Sequence, residues 1–489
     1  VDTNIVIKNI DEVYVKIECS DDIAHELNDH FTFMIPGAQF SPAFRAKLWN
    51  GKIYLFSFRK RLIYRGLIRH IISFAQDRNY TYSYDDAYDT EFSISEAKQF
   101  IESVNLTKEP RDYQLDAFVH AIRNKRALLL SPTASGKSLI IYLIIRYLHD
   151  KLNHRKTLII VPTTSLVSQL FTDFKDYGYD SESYVHKIFS GQDKETEKQV
   201  VISTWQSLFK MPRKYFEQFD SVIGDECHLF KAKSLTDIMI NLTKASYRIG
   251  TTGTLDGTKT HKLVLEGLFG PVKKVTTTKE LMDQKHIADF EIKCLILKHP
   301  DAICQAAKNF TYQQEIEYLV LNEKRNNFIA NLGVSLKGNT LILYQYVDKH
   351  GKILHSLIAK ELESTNRKVF FVSGETDTDV REETRRIVET ETDAIIVASF
   401  GVYSTGINIR NLHNIIFASP SKSRVRNLQS IGRGLRKSDT KSSAVLYDIA
   451  DDMKHKKKNN YTLNHFSERI QIYAEEKFKF RIYRIALKE

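Results

Sequence analysis

Residues 127–146 read A-L-L-L-S-P-T-A-S-G-K-S-L-I-I-Y-L-I-I-R, and this stretch decides the fold. A-L-L-L (127–130) suits a fully buried strand, and S-L-I-I-Y-L-I-I-R (138–146) continues as a helix. Between them lie Ser131, Pro132, Thr133, Ala134, Ser135 and Gly136, followed by Lys137 and Ser138. Such a turn binds phosphate, because backbone N–H groups converge at a helix N-terminus and glycine permits close approach. Lys137 then reaches the β- and γ-phosphates, and the Ser138 hydroxyl ligates Mg2+. The usual pattern opens on glycine where this chain has Ser131. ATP and Mg2+ are therefore the expected cofactors.

Downstream, the same alternation of short apolar runs and helical stretches continues. T-L-I-I-V (157–161), V-V-I-S-T (200–204), S-V-I-G-D (221–225) and Y-R-I-G-T (247–251) predict a parallel sheet in an α/β domain. A second series follows residue 290: T-L-I-L-Y-Q-Y (340–346), K-V-F-F-V-S (368–373), A-I-I-V-A-S (394–399), N-I-I-F-A (414–418) and A-V-L-Y-D-I (444–449). That predicts a second α/β domain. At the end of the run S-V-I-G stands D-E-C-H (225–228). Phosphoryl transfer to water needs one carboxylate near the metal and another to orient or deprotonate the nucleophile. Asp225 suits the Mg2+ shell and Glu226 the water. In Q-S-I-G-R-G-L-R (429–436), helical spacing aligns Gln429, Gly432, Arg433 and Arg436. Guanidiniums there would neutralise charge developing on the γ-phosphate.

The 489 residues suffice for about three domains, and 42% apolar with 27% charged residues excludes a disordered chain. Cys19, Cys227, Cys294 and Cys304 form no C-x-x-C pair, so neither a disulfide framework nor a zinc site is expected. The apolar run Leu139–Ile145 stops at Arg146, far short of the ~20 residues of a membrane span. V-D-T-N-I-V-I-K-N-I has no signal-peptide pattern, and a cytoplasmic protein without membrane partners is expected.

The net charge of +11 is unevenly placed. Residues 41–80 carry nine basic residues (Arg45, Lys47, Lys52, Arg59, Lys60, Arg61, Arg65, Arg69, Arg78) against Asp77 alone. Another ten Lys/Arg face six Asp/Glu after residue 450, so the rest of the chain taken together is near neutral. Phe40, Phe44, Trp49, Tyr54, Phe56, Phe58 and Tyr64 interleave the first cluster, as in faces that hold phosphate and stack on bases; they equally suit a small core.

The motifs together resemble the superfamily 2 helicases over residues 108–450. R-D-Y-Q (111–114) resembles their adenine-reading motif, implying roles for Arg111 and Gln114. V-P-T-T-S-L-V-S-Q (161–169) and S-T-W-Q-S (203–207) resemble backbone-holding motifs, implying Pro162, Thr163, Thr204 and Gln206, with Gly374 and Thr405 in the second domain. T-T-G-T (251–254) resembles the coupling motif, implying Thr252 and Thr254 with His228, Gln429 and Gly432. S-F-G-V-Y-S-T-G-I-N-I (399–409) and residues 429–436 resemble the last two motifs, implying Arg436 as arginine finger and Arg433 as a γ-phosphate contact. F-S-P-A-F-R (40–45), W-N-G-K-I (49–53) and N-H-F-S-E-R-I-Q-I-Y-A-E-E-K-F (464–478) resemble the phage UvsW-type helicases.

The resemblance implies two tandem RecA-like domains at 109–285 and 286–450. Before them come a small basic α+β nucleic-acid-binding domain at 1–90 and a connecting helix at 91–108; a short helical extension follows at 451–489. Arg45, Lys52, Arg59, Lys60, Arg61 and Arg65 are the expected nucleic-acid contacts of the first domain. The function implied is an ATP-dependent DNA helicase that unwinds and branch-migrates Holliday junctions, forks and R-loops in recombination, repair and replication. It would act as a monomer or weak oligomer on branched DNA or RNA–DNA hybrids, in the cytoplasm of a phage-infected host. An RNA helicase and an ATP-gated nucleic-acid clamp without unwinding stay open as alternatives.

Overall fold

The computed structural model describes residues 3–84, 91–189, 193–255, 257–405, 409, 411–419, 423–434 and 443–487. They group into two units, one of Val1–Ser131 with Gly136–Val275, the other of Pro132–Ser135 with Thr276–Glu489. Among the described residues no helix is long and apolar enough to cross a membrane.

The N-terminal region is α+β. Strands β1 (Ile5–Asn9), β2 (Tyr14–Glu18), β5 (Phe56–Ser57), β6 (Leu62–Tyr64) and β7 (Tyr82–Tyr84) form a sheet of order β5-β6-β2-β1-β7. Strands β3 (Thr32–Met34) and β4 (Lys52–Tyr54) form a separate antiparallel ribbon. The connecting helix, Ile94–Ser103, starts at a capping box in which Ser93 and Glu96 satisfy each other's backbone N–H.

In the first unit the large sheet comprises β8 (Arg126–Leu130), β9 (Thr157–Val161), β10 (Val185–Ile188), β11 (Val200–Thr204), β12 (Ser221–Asp225), β13 (Tyr247–Thr252) and β14 (Val272–Lys274). Their order is β10-β11-β9-β12-β13-β8-β14, and every pair is parallel. The five inner strands coincide with the apolar runs, since a strand covered on both faces has no polar side. The edge strands β10 and β14 escaped that pattern because both are partly exposed.

The second unit repeats the design with β15 (Asp289–Lys298), β16 (Thr340–Tyr344), β17 (Val369–Val372), β18 (Ile395–Ser399), β19 (Asn414–Phe417), β20 (Ser443–Asp452) and β21 (Lys479–Ala486). The order is β17-β18-β16-β19-β20-β15-β21, again all parallel. The residues after 450 differ from the helical extension expected. Helix Tyr461–Glu475 is followed by β21, which pairs with β15 from Glu291↔Lys479 to Lys298↔Ala486. K-F-R-I-Y-R-I-A is charged and mostly exposed, so it carried no buried-strand signal.

Buried ion pairs tie the C-terminal helix to this sheet. Arg469 meets Asp448 at 2.8 Å, and the Tyr473 hydroxyl donates to the same carboxylate at 2.8 Å. Buried Glu315 accepts the first N–H groups of the helix, from Tyr461 at 2.9 Å and Thr462 at 2.7 Å. Asp451 is held by Arg325 at 2.9 Å and His299 at 3.0 Å.

The N-terminal domain packs on the first large sheet through arginines. Glu12 Oε2 lies 2.6 Å from Arg126 and 3.0 Å from Arg65. Buried Arg248 donates to the carbonyls of Leu268, Leu242 and Met239 at 2.8–2.9 Å. Gly66 lies so close to the Glu266 carbonyl that a Cβ there would stand 2.0 Å from the oxygen. Arg65 is thus a correction to the expected DNA contacts. It is 7% exposed and serves Glu12 and the Asp11 carbonyl.

Burial would raise the Asp451 carboxyl pKa, but Arg325 and then His299 pull it down to about 2. A depressed carboxyl pKa stabilises the fold fully above the unfolded value and loses that contribution as the pH falls through the folded value. Asp451→Asn is therefore expected to cost about 2 kcal/mol near neutral pH, measured by urea unfolding. It should also flatten the loss of stability between pH ~4 and ~2.

Candidate functional site

The site assembles at the carboxyl ends of three neighbouring strands, β12, β13 and β8, where parallel α/β sheets bind their ligands. The loop leaving β8 turns through positive φ at Ala134 (68°) and Gly136 (78°) and enters helix Lys137–Asp150. The φ of 78° at Gly136 strains any residue with a side chain, and a Cβ there would also displace the Gln114 amide, whose Nε2 would stand 2.3 Å away. Ser131 and Ser135 are fully buried, and the Ser131 N–H donates to the Thr252 carbonyl at 2.8 Å. A serine in the first loop position is thus accommodated against β13.

Asp225 ends β12, and Glu226, the next residue, takes the left-handed conformation (φ 50°). A non-glycine residue there carries backbone strain, which is concentrated at functional sites. The turn brings Glu226 Oε1 to 2.9 Å from Lys137 Nζ, while Asp225 Oδ1 lies 3.8 Å from it. Burial would lower the Lys137 pKa, but Glu226 and Asp225 together raise it. The Asp225 pKa is raised by burial, against the pull of Lys137. Asp225 Oδ1 also accepts from Thr251 Oγ1 at 2.7 Å and the Glu226 N–H at 2.9 Å. Strand register explains the first bond, since Asp225 pairs directly with Thr251.

His228 Nδ1 lies 2.9 Å from Thr252 Oγ1 and 3.4 Å from Glu226 Oε2. The Thr252 hydroxyl donates to the Thr254 carbonyl at 3.0 Å, so it accepts from His228 and sets the proton on Nδ1. The arrangement joins the acidic turn to T-T-G-T.

Gln114 is 4% exposed and bridges the Arg111 N–H (2.9 Å) to the Gly136 carbonyl (3.3 Å). Its amide thus braces the phosphate loop. Arg111 begins helix Asp112–Asn124 and donates to the Tyr113 hydroxyl at 2.7 Å.

Two residues escaped the sequence reading. Thr251 orients Asp225, and only the strand pairing reveals it. Tyr177, which follows helix Thr164–Asp176, places its hydroxyl 2.8 Å from Ser138 Oγ across 39 residues of chain. No pattern in the sequence joins those positions.

The donor set fits Mg2+. Ser138 and Asp225 offer hard oxygens, and two carboxylates face one ammonium, leaving a negative charge that a divalent cation would balance. Among the described residues no cluster of three or more His, Cys, Asp or Glu side chains could hold a metal by itself.

The other expected residues are scattered. Pro162 and Thr163 are half-buried at the start of helix Thr164–Asp176, where Thr163 Oγ1 accepts from the Leu166 N–H at 3.4 Å. Thr204 is buried and bonds Ser207 Oγ at 3.0 Å, so it supports the loop; its neighbour Gln206 is exposed. Gly374 is exposed and its carbonyl accepts from Arg381 at 2.8 Å. Thr405 ends helix Phe400–Thr405, and Gln429, Gly432 and Arg433 lie on helix Arg424–Gly434. Arg436 lies outside the described residues.

On the N-terminal domain Arg45, Lys52, Arg59 and Lys60 are exposed. Arg61 instead pairs with Asp21 and lies 4.8 Å over the Phe58 ring. Of the interleaved aromatics, Phe56 is core and Tyr64 stacks on Tyr14, whereas Phe40 and Tyr54 are exposed.

Residues 4–85 match the family described as "DNA helicase UvsW, N-terminal". Residues 107–257 match "Type III restriction enzyme, res subunit", and residues 323–438 match "Helicase conserved C-terminal domain". The chain is 36% identical to the ATP-dependent DNA helicase uvsW of Enterobacteria phage T4, covering 96% of both chains. The crystal structure of T4 UvsW aligns over 99% of this chain and 100% of that one, at 34% identity and a TM-score of 0.53. A DNA 3'-5' translocase, XPB2, of Sulfurisphaera tokodaii is 26% identical over 70% of this chain and 81% of its own.

Thr251→Val keeps the shape of β13 and removes one donor to Asp225. Steady-state hydrolysis should fall about tenfold in kcat, the effect of losing about one charge-assisted hydrogen bond.

Proposed function

The chain belongs to the UvsW family of ATP-dependent DNA helicases, and we propose that its substrate is branched DNA, gripped by the basic N-terminal domain. The observation that carries this is the joining of that domain to the first motor domain through Glu12, Arg65 and Arg126. A grip mounted this way travels with the motor domain that carries the ATP site. Its exposed Arg45, Lys52, Arg59 and Lys60 would meet phosphates, which fix position without reading sequence. Pro162, Thr163 and Gln206 would track the strand being pulled, with Gly374 and Thr405 from the second domain. RNA–DNA hybrids with the same geometry are further substrates, met in the cytoplasm of a phage-infected host.

Hydrolysis follows from the residues at the strand ends. The loop N–H groups and Lys137 bind the phosphates. Ser138 and Asp225 would hold Mg2+, which would supply charge neutralisation at the phosphates. A γ-phosphate competes with Glu226 for the Lys137 ammonium, and the released carboxylate takes the proton of the attacking water. Arg433 and Arg436 of the second domain supply the positive charge that stabilises the transferred phosphoryl group. The His228–Thr252 bond transmits the change at Glu226 to T-T-G-T. Closure and release of the two domains then turns each hydrolysis into a step.

Unwinding and branch migration on a matched panel of forks, Holliday junctions, linear duplex and RNA–DNA hybrids test the reading. Equal rates on linear duplex and on junctions would remove the branch preference. Lys137→Ala should abolish hydrolysis and unwinding while fork binding stays within about threefold, because the phosphate contacts of the grip lie elsewhere. Neutralising Arg45, Lys52, Arg59 and Lys60 together should reduce the salt slope of fork binding by up to ~3–4, at about 0.9 for each phosphate no longer neutralised. An unchanged slope would show that this face does not meet phosphate.

A further inference from the structure

The hairpin after β20 carries positive charge that the fold leaves uncompensated. K-H-K-K-K (454–458) follows β20 after Met453 alone, and its four lysines are exposed. His455 and Lys458 exchange both backbone hydrogen bonds, at 3.2 and 3.0 Å, so Lys456 and Lys457 form a two-residue tip. Lys456 stands at φ 53°, where the first tip residue of such a hairpin is favoured as glycine or asparagine. A lysine held there against its backbone preference points to a use for its side chain.

The hairpin closes one side of a cavity of about 400 Å³. Buried Met453, half-buried Phe310 and exposed Lys308, Lys457, Lys458 and Tyr461 line it. Lys458 Nζ donates to the Lys308 carbonyl at 2.8 Å, which ties the hairpin to the end of helix Asp301–Ala307. Among the described residues of the lining, Glu315 is the only carboxylate, and it is buried and saturated. Its Oε1 accepts from Asn460 Nδ2, the Thr462 N–H and the Thr462 hydroxyl, and its Oε2 from the Tyr461 N–H, all at 2.7–2.9 Å. The face turned to solvent is therefore cationic.

An aromatic pair stands beside the lysines. The Tyr461 and Tyr312 rings lie 6.0 Å apart between centroids, and Tyr312 lies 5.4 Å from the His465 ring. Tyr461 is 44% exposed and Tyr312 41%. Each opens a helix, Tyr461–Glu475 and Tyr312–Leu321, and Glu315 of the second helix accepts the first N–H groups of the other. The rings are thus fixed relative to each other. Ammonium groups beside exposed rings suit single-stranded nucleic acid, whose phosphates meet the charges while an unpaired base stacks on a ring. A duplex hides its base faces, and an acidic peptide leaves the rings unused.

The place in the sheet agrees. Because the strands are parallel, the hairpin leaves the same carboxyl edge as Gly374, after β17, and helix Phe400–Thr405, after β18. In the order β18-β16-β19-β20 its root is three strand positions from the root of that helix, roughly 14 Å.

We propose that the 454–458 hairpin and the Tyr312–Tyr461 pair form a further single-strand site on the second motor domain, holding the strand beyond Gly374 and Thr405. The proposal requires a DNA helicase but no preference for branches, so it stands apart from the branched-DNA reading.

The test uses the full chain and a fluorescein-labelled oligodeoxythymidylate, titrated by anisotropy over a range of salt concentrations. Lys456→Gly/Lys457→Ser removes both tip charges and supplies the glycine that the turn favours, so a collapsed hairpin does not explain its effect. It should lower the salt slope by up to ~1.4, at about 0.7 for each single-strand phosphate no longer met. Tyr312→Ser/Tyr461→Ser should weaken binding ~5-fold or more at every salt concentration and leave the slope unchanged, as expected when stacking on a base is lost. Lys456→Arg/Lys457→Arg and Tyr312→Phe/Tyr461→Phe should bind as the wild type does. A strand carrying 5-iododeoxyuridine should cross-link under ultraviolet light to Tyr312 or Tyr461.

An unchanged slope in the hairpin variant would overturn the proposal, as would a strand that cross-links elsewhere and to neither tyrosine. So would loss of polyglutamate binding in the hairpin variant with strand binding intact, which would assign the hairpin to an acidic protein segment. If junctions and linear duplex are unwound equally, the branch preference falls and this site stands. If the wild type and both variants bind the strand alike, only this site falls.

Discussion

The register of β8, β13 and β12 is the constraint on which the functional site depends. Thr251 pairs with Leu129 on one side and Asp225 on the other, so the phosphate loop and the acidic turn emerge at one level on either side of β13. A slip of one residue would turn the side chains of that strand to the other face. It would separate Asp225 from Thr251 and Thr252 from His228 together. The buried apolar runs that hold the register are therefore as much part of the candidate site as the polar residues at the strand ends.

Within that frame the site is balanced by charge. Lys137 lies between two carboxylates, one of them on a left-handed residue, and no arrangement of the three compensates every charge. Such a site is predisposed to accept phosphate oxygens and a divalent cation, because both change which partner each group prefers. Tyr177 ties Ser138 to the end of helix Thr164–Asp176, whose start carries Thr163. One helix thus spans from an expected metal ligand to an expected DNA contact.

Arginine has two different uses in the N-terminal region. The basic run reads as one surface, yet Arg65 is internal, Arg61 is engaged with Asp21 and Phe58, and Arg78 pairs with Glu26 while lying 4.0 Å over the Phe74 ring. The outward charge narrows to a smaller set that includes Arg45, Lys47, Lys52, Arg59 and Lys60. Buried Arg126 and Arg248 belong to β8 and β13, where their neighbours are apolar. Burial lowers the pKa of both. Glu12 lies 114 residues from Arg126, and the carbonyls that Arg248 meets lie 6, 9 and 20 residues from it at no regular spacing, so no periodic pattern distinguishes such arginines from surface ones.

The two parallel sheets and the family are legible in the sequence alone, as are the glycine turn at 131–138 and the acidic turn at 225–228. Those features are written in consecutive residues: a doubly covered strand is continuously apolar, and a phosphate loop is a strand, a glycine turn and a lysine in order. Only the tertiary structure decided which basic residues face outward, that Thr251 and Tyr177 serve the site, and that the last strand completes the second sheet. It also showed that Gln114 braces the loop and that Phe40 and Leu48 stand clear of the core. Each of these depends on pairing between residues far apart in the chain, and hydrogen bonds and burial across such distances leave no periodic trace in the sequence.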